Sequence, residues 1–112
     1  MPDKFEIIFL TNAREFLLDL DRPTRKKILF NIDRSKIKND PEIFKKLSDK
    51  IWEFRTKFKR KQYRLIAFWD KRNNKNTLVI CTHGFLKKTQ KTPKKEIFIA
   101  EGIMNQYFNE FK

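Results

Sequence analysis

The chain has 112 residues, 27 of them Lys or Arg and 14 Asp or Glu, for a formal net charge of +13 with 39% apolar content. That suffices for one domain, residues 1–112, with its own core, and a single cysteine excludes a disulfide framework and suits a reducing cytosol. The opening MPDKFE carries no basic-then-apolar leader, and runs such as LIAFW fall far short of the ~20 residues that span a bilayer, so a soluble, cytoplasmic protein with no membrane contact is expected.

In chain order, KFEIIFL (4–10) is short, β-branched and aromatic, and predicts a strand. Thr11 or Asn12 can cap a helix that carries Phe16, Leu17 and Leu20. Asp21 caps a second helix with Pro23 in its first turn and an apolar stripe of Ile28, Leu29, Ile32 and Ile37. Asn39, Asp40 and Pro41 stop it, and PEIFKKL (41–47) reads as a turn or single helical turn.

IWEFRTKF (51–58) then alternates, with Trp52, Phe54, Thr56 and Phe58 on one face and Ile51, Glu53, Arg55 and Lys57 on the other. KRKQ (59–62) is a basic turn, YRLIAFWD (63–70) a strand, KRNNKN (71–76) a polar hairpin loop and TLVICTHGF (77–85) a further strand. Pro93 opens a terminal helix whose Ile97, Ala100, Ile103, Met104, Tyr107, Phe108 and Phe111 keep helical spacing. The order β-α-α-β-β-β-α defines an α+β domain, an antiparallel sheet with two N-terminal helices and a C-terminal helix, expected over one face.

The charge is concentrated. Residues 45–64 hold nine bases and two acids, and residues 87–95 hold five lysines and no acid. Two such windows point to a polyanion-binding face rather than to two unrelated solvated loops. Arg55 and Lys57 share a strand face, and a hairpin through Lys59, Arg60 and Lys61 sets Lys57 near Arg64. Like charges opposed in a sheet are destabilising, so a phosphate ligand or exposure at an edge has to account for the grouping.

His83 and Phe85 close the last strand, and Lys87 and Lys88 follow before a helix N-terminus, which itself attracts anions. His83 is either an acid–base group or a satisfied structural histidine. Cys81 and His83 could set two metal ligands on one face, but no second pair stands at zinc-like spacing, so no metal or other cofactor is expected. Two glycines allow no phosphate loop. Trp52, Phe54 and Phe68 read as core rather than as stacking platforms.

These residues resemble the RelE/ParE toxin superfamily of bacterial type II toxin–antitoxin systems, and most closely its phage-derived HigB-like branch. The resemblance is carried by IWEFR (51–55), YRLIAFW (63–69), HGFLKKTQKTP (83–93) and the helix start Glu96, Ile97 and Ala100. It implies a RelE-like fold and a ribosome-dependent mRNA endonuclease, in which the substrate's 2′-OH attacks the adjacent phosphate and leaves a 2′,3′-cyclic phosphate. It also implies a HigA-like helix-turn-helix antitoxin as partner, besides the ribosome and mRNA.

Under that resemblance Arg64 holds the scissile phosphate, Lys57 stabilises charge or acts as base, and His83 is a candidate acid or base. Arg55, Lys59, Lys87 and Lys88 bind RNA phosphates and Phe85 stacks on a base. RelE has a catalytic tyrosine near the start of its last helix, where this chain has Ile97 and Phe98. The departure leaves two other implied readings, a ParE-like gyrase inhibitor and an inactive antitoxin-binding relative.

Overall fold

The structure, a computed structural model, describes residues 5–72 and 78–111. Its elements are β1 (Glu6–Phe9), α1 (Thr11–Asp19), α2 (Arg22–Ile37), β2 (Phe44–Lys46), β3 (Trp52–Phe58), β4 (Lys61–Asp70), β5 (Leu78–Lys87) and α3 (Lys94–Glu110). The strands form one sheet in the order β1-β5-β4-β3-β2, with β1 parallel to β5 and the other neighbours antiparallel. Among the described residues no helix is long and apolar enough to cross a membrane.

The helices cover both faces, not one. α1 and α2 lie over Phe54, Tyr63, Leu65, Ala67, Val79 and Cys81, whereas α3 lies over Ile51, Ile66, Phe68 and Ile80. The cause is in β4, whose near-continuous apolar run presents Leu65 and Ala67 to one side and Ile66 and Phe68 to the other. A strand apolar on both faces needs cover on both.

Two local expectations are also corrected. PEIFKKL is a turn only through Ile43, where the Ile43 and Phe44 N–H groups donate to Asp40 O. Phe44 then starts β2, because its ring stacks on Phe54 at 4.1 Å while Lys45 turns to the other face. α1 has no side-chain cap from Thr11 or Asn12; Leu10 is its N-cap residue, with its own N–H donating to Cys81 O. Asp21 does cap α2, accepting from the Thr24 N–H at 3.3 Å. The 71–76 loop lies outside the described residues from position 73 on.

Two backbone features set the site. Lys59 and Arg60 have φ of 51° and 68° and make a two-residue hairpin, so Lys61 and Gln62 join β4 instead of the turn. In β5 the register shifts between the partners of Ile66 and Ala67: Cys81 pairs with Ala67 and His83 with Ile66. Thr82 is the extra residue, and it sends Cys81 into the α1/α2 core and His83 to the α3 face. The shared Cys81–His83 face expected from simple alternation is therefore absent.

Candidate nucleic-acid interface

α3 covers only one end of its sheet face. At the other end the ladder aligns the β3, β4 and β5 side chains in three rows: Glu53, Ile66 and His83; Arg55, Arg64 and Phe85; Lys57, Gln62 and Lys87. Lys45 on β2 extends the first row beside Glu53. The expected convergence of the strand cations with the end of β5 and the start of α3 is met. The pairing within it differs, since Arg64 faces Arg55, and Lys57 faces Gln62. The cause is the short Lys59–Arg60 turn.

Glu53 makes the opposed arginines tolerable. Its Oε1 lies 3.5 Å from Arg64 Nε and its Oε2 lies 3.6 Å from Arg55 Nε. Glu53 and Arg64 are each only 3% exposed. The remaining Arg64 nitrogens donate to Tyr63 O at 3.2 Å and to Gln62 Oε1 at 2.8 Å. Burial holds the Arg64 guanidinium below its ordinary pKa, Glu53 opposes that shift, and Arg55 adds to it. The buried Nε atoms of Arg55 and Arg64 sit at ion-pair range of Glu53 without a hydrogen-bond acceptor among the described residues. Such under-satisfied cationic donors favour an incoming anion.

His83 is held at both nitrogens. Nδ1 lies 2.9 Å from Thr82 Oγ1 and Nε2 lies 3.1 Å from Glu96 Oε1 on the first turn of α3. The Thr82 hydroxyl also lies 3.2 Å from Ile66 O. Its single proton goes either to that carbonyl or to a neutral His83 Nδ1, so the ring tautomer and the strand contact are coupled. Thr92, just before α3, donates to Glu53 Oε1. The start of α3 is thus fastened to the site through Glu96 and Thr92.

The other candidates divide. Lys57 is exposed, and Lys87 is half-buried at the end of its row. Desolvation first, and Arg64 next, hold the Lys87 ammonium below its ordinary pKa, against the pull of Glu53. Phe85 stacks on His83 at 6.3 Å and 27°. Lys59 leaves the cluster: its Nζ sits 5.4 Å from the Phe58 ring on the α1/α2 face. Lys88 follows the end of β5 and, with Arg60 and Lys61, lines a cleft of about 440 Å³ that adjoins the site through Gln62 and Lys87. Ile97 packs into the α3 core, and Phe98 is 77% exposed.

Glu53, Gln62 and Thr92 were given no site role from the sequence, and Glu96 entered only as part of the helix-start motif. Glu53 alone had a signal there, since it shares the alternating face of Arg55 and Lys57. Two clefts open on this surface, one of about 190 Å³ lined by Arg55, Lys57, Gln62 and Arg64, the other of about 280 Å³ lined by Lys45, Glu53, Arg55, Lys87 and Lys91. Among the described residues no group of three or more His, Cys, Asp or Glu could hold a metal ion.

A five-stranded sheet sandwiched by helices, with one sheet end left open and cationic, defines an α+β domain with a charged binding face. The family described as Phage derived protein Gp49-like (DUF891) matches residues 15–105, and the chain belongs to that family. Its fold is similar to a chain in the crystal structure of the toxin–antitoxin complex RelBE2 from Mycobacterium tuberculosis. The TM-score is 0.53 at 18% identity, over 75% of this chain and 99% of that one. At that identity the likeness concerns the fold. No curated protein matches the chain.

Proposed function

We propose that the chain is the toxin of a type II toxin–antitoxin system and acts as a ribosome-dependent mRNA endonuclease. The observation that carries this reading is the buried Glu53–Arg64 pair at the open end of the sheet, joined by the partly exposed Arg55 and flanked by Lys57, Lys87 and His83. The RelE-like fold and the phage-derived family support it.

In this reading the scissile phosphate displaces the Gln62 amide from Arg64 and lies between Arg64 and Arg55. Glu53 holds both guanidinium planes in place and limits their mutual repulsion. The substrate's 2′-OH loses its proton and attacks the phosphorus, and the bond to the 5′-oxygen breaks as that oxygen gains a proton. Lys87 is the candidate base, because its lowered ammonium pKa leaves it more often as the free amine than an ordinary lysine. His83, in its doubly protonated form paired with Glu96, is the candidate donor of the proton to the leaving oxygen and returns to the neutral ring. Lys57 neutralises the equatorial oxygens. A HigA-like antitoxin with an acidic segment would cover this face, and translation in the cytoplasm would supply mRNA on the ribosome.

The test is mapping of transcript 5′ ends in vivo after brief induction. Arg64→Ala is expected to lower codon-internal cutting by about 10²–10³-fold. Lys87→Met, in the next cross-strand row and less buried than Arg64, guards against a simple folding loss, and circular dichroism of both variants checks it. Full cutting by both folded variants sinks the assignment. Growth arrest by the native chain without new ends supports the second reading, a gyrase-directed or antitoxin-binding protein. That alternative is favoured by one observation, the apolar Ile97 at the helix start where RelE has its tyrosine.

A further inference from the structure

A cavity of about 540 Å³ lies at the other end of the sheet from Arg64, where β3 begins and β4 ends. Its wall includes Trp52, Trp69 and Phe108, and its rim includes Lys46, Lys50 and Lys71. The two indoles are the only tryptophans of the chain and meet edge to face at 6.2 Å and 80°. Both are half-buried, so they contribute to the core and still expose ring surface. Lys46 pairs with Trp52 in the ladder, and Lys71 Nζ stands 5.9 Å from the Trp69 ring. The three lysines are exposed and, among the described residues, form no ion pair. Arg72, also on the lining, is spent on Asp70, and Asp49 is the only acid there.

The cavity is not isolated from the Arg64 cluster. Lys46 lines it and also the 280 Å³ cleft, while Arg55 lines that cleft and the 190 Å³ one beside Arg64. A cationic track therefore passes from Arg64 on the α3 face round the β2 edge at Lys46 to the tryptophans, which pack on the α1/α2 face. Arg64 and Trp69 are five residue steps apart on β4, an axial separation of about 17 Å, a span of a few nucleotides.

We propose that the tryptophan cavity holds an unpaired base of single-stranded RNA, with the flanking phosphates on Lys46, Lys50 and Lys71. This deepens the RNA reading above and rests on it. Planar indoles between separated lysines match the alternation of base and phosphate along a single strand. An acidic peptide would use the lysines but has no need of the two ring faces.

Both tryptophans line the cavity, so intrinsic fluorescence reports on it directly. The full chain is titrated with a pentaribonucleotide carrying 2′-O-methyl groups throughout, which cannot be cleaved. Saturable quenching is expected, weakened about ten-fold in Lys50→Ala/Lys71→Ala. Loss of those two phosphate contacts should also flatten the slope of log K against log salt by about 1.4, at ~0.7 per contact. Equal quenching by the abasic backbone overturns base stacking. Quenching by an acidic peptide but not by the oligonucleotide assigns the cavity to a protein partner and overturns the proposal. A chain that cuts transcripts but shows no quenching loses only this cavity. One that quenches without cutting keeps it and loses the nuclease.

Discussion

The two faces of the sheet are built on opposite plans. Against α1 and α2 the side chains of β3, β4 and β5 are apolar along nearly their whole length, from Ala67 and Val79 to Tyr63 and Phe58. Against α3 they are apolar only at one end, from Ile51 and Phe68 to Ile66, and beyond that come Glu53, Arg64, Arg55, Lys57 and Lys87. Both faces spring from the same strands, so strand chemistry is not the difference. It lies in where the covering helix stops. α3 begins at Lys94, level with His83, and leaves two of the three cross-strand rows uncovered. A domain this small can give one full face to stability and half of the other to binding, provided the polar half is internally compensated.

That compensation is the point most open to attack, and it carries the largest expected effect. Glu53 and Arg64 are both buried, and removing one partner of a buried pair leaves the other charge stranded. Glu53→Ala is expected to cost about 3–5 kcal/mol in urea unfolding at neutral pH. Lys57→Ala, on the same face but exposed, should fall within about 0.5 kcal/mol of the native chain. If the two variants unfold alike, the open end of the face is a solvated charge cluster with no buried organiser.

The next largest effect sharpens the contrast from the apolar side. A Cβ on Gly84 would lie 2.3 Å from Phe16 Cδ2 and 2.6 Å from its Cγ, so the ring base itself has to move. This glycine lets the Phe16 ring of α1 lie directly on the β5 backbone. Gly84→Ala is expected to cost about 1–3 kcal/mol by thermal or urea unfolding, the usual range for overpacking a filled core. Gly102 has open space around it, so Gly102→Ala is the control for a general glycine effect and should instead stabilise α3 slightly.

Much of this contrast is legible in the amino-acid order, and the failures have definite causes. The alternation of IWEFRTKF assigns its residues to their observed faces. YRLIAFW carries the sign of two-sided burial in its unbroken apolar run, yet reading it as an ordinary one-sided strand puts all helices on one face. β2 is only three residues long, too short for any period to show, and is created by Phe44 stacking on Phe54. The pairing of Arg55 with Arg64 depends on a two-residue turn made by Lys59 and Arg60, neither of which is the Asn or Gly that normally marks such a turn. The bulge at Thr82 separates Cys81 from His83 by one inserted residue, and no composition signal announces it. Glu53 and Glu96 are plain carboxylates in the sequence; only the tertiary fold buries one between arginines and sets the other on His83.

The smallest effect concerns how α3 is held in place, because the contrast between the faces depends on it. Its start is tied down by Glu96 to His83 and by Thr92 to Glu53. Near its end the Tyr107 hydroxyl donates to Asp70 Oδ2 at 2.7 Å, and Arg72 bonds both carboxylate oxygens of Asp70 and the Phe111 carbonyl. Those contacts, the Arg72 hydrogen bond foremost, hold the Asp70 carboxyl down at about 2. A depressed carboxylate stabilises the fold above its unfolded value of about 3.9, and the contribution disappears as pH falls through the folded value. The full shift corresponds to about 2.5 kcal/mol, but the cluster sits at a solvent-washed edge, and screening reduces the expected figure to about 1 kcal/mol. Asp70→Asn should therefore lower stability at pH 7 by that amount and flatten the loss between about pH 4 and 2. Urea midpoints for both chains across that window give the answer. An unchanged acid limb would mean that α3 is held by Ala100 and Met104 packing alone, and that its polar fastening matters only at the end facing the arginines.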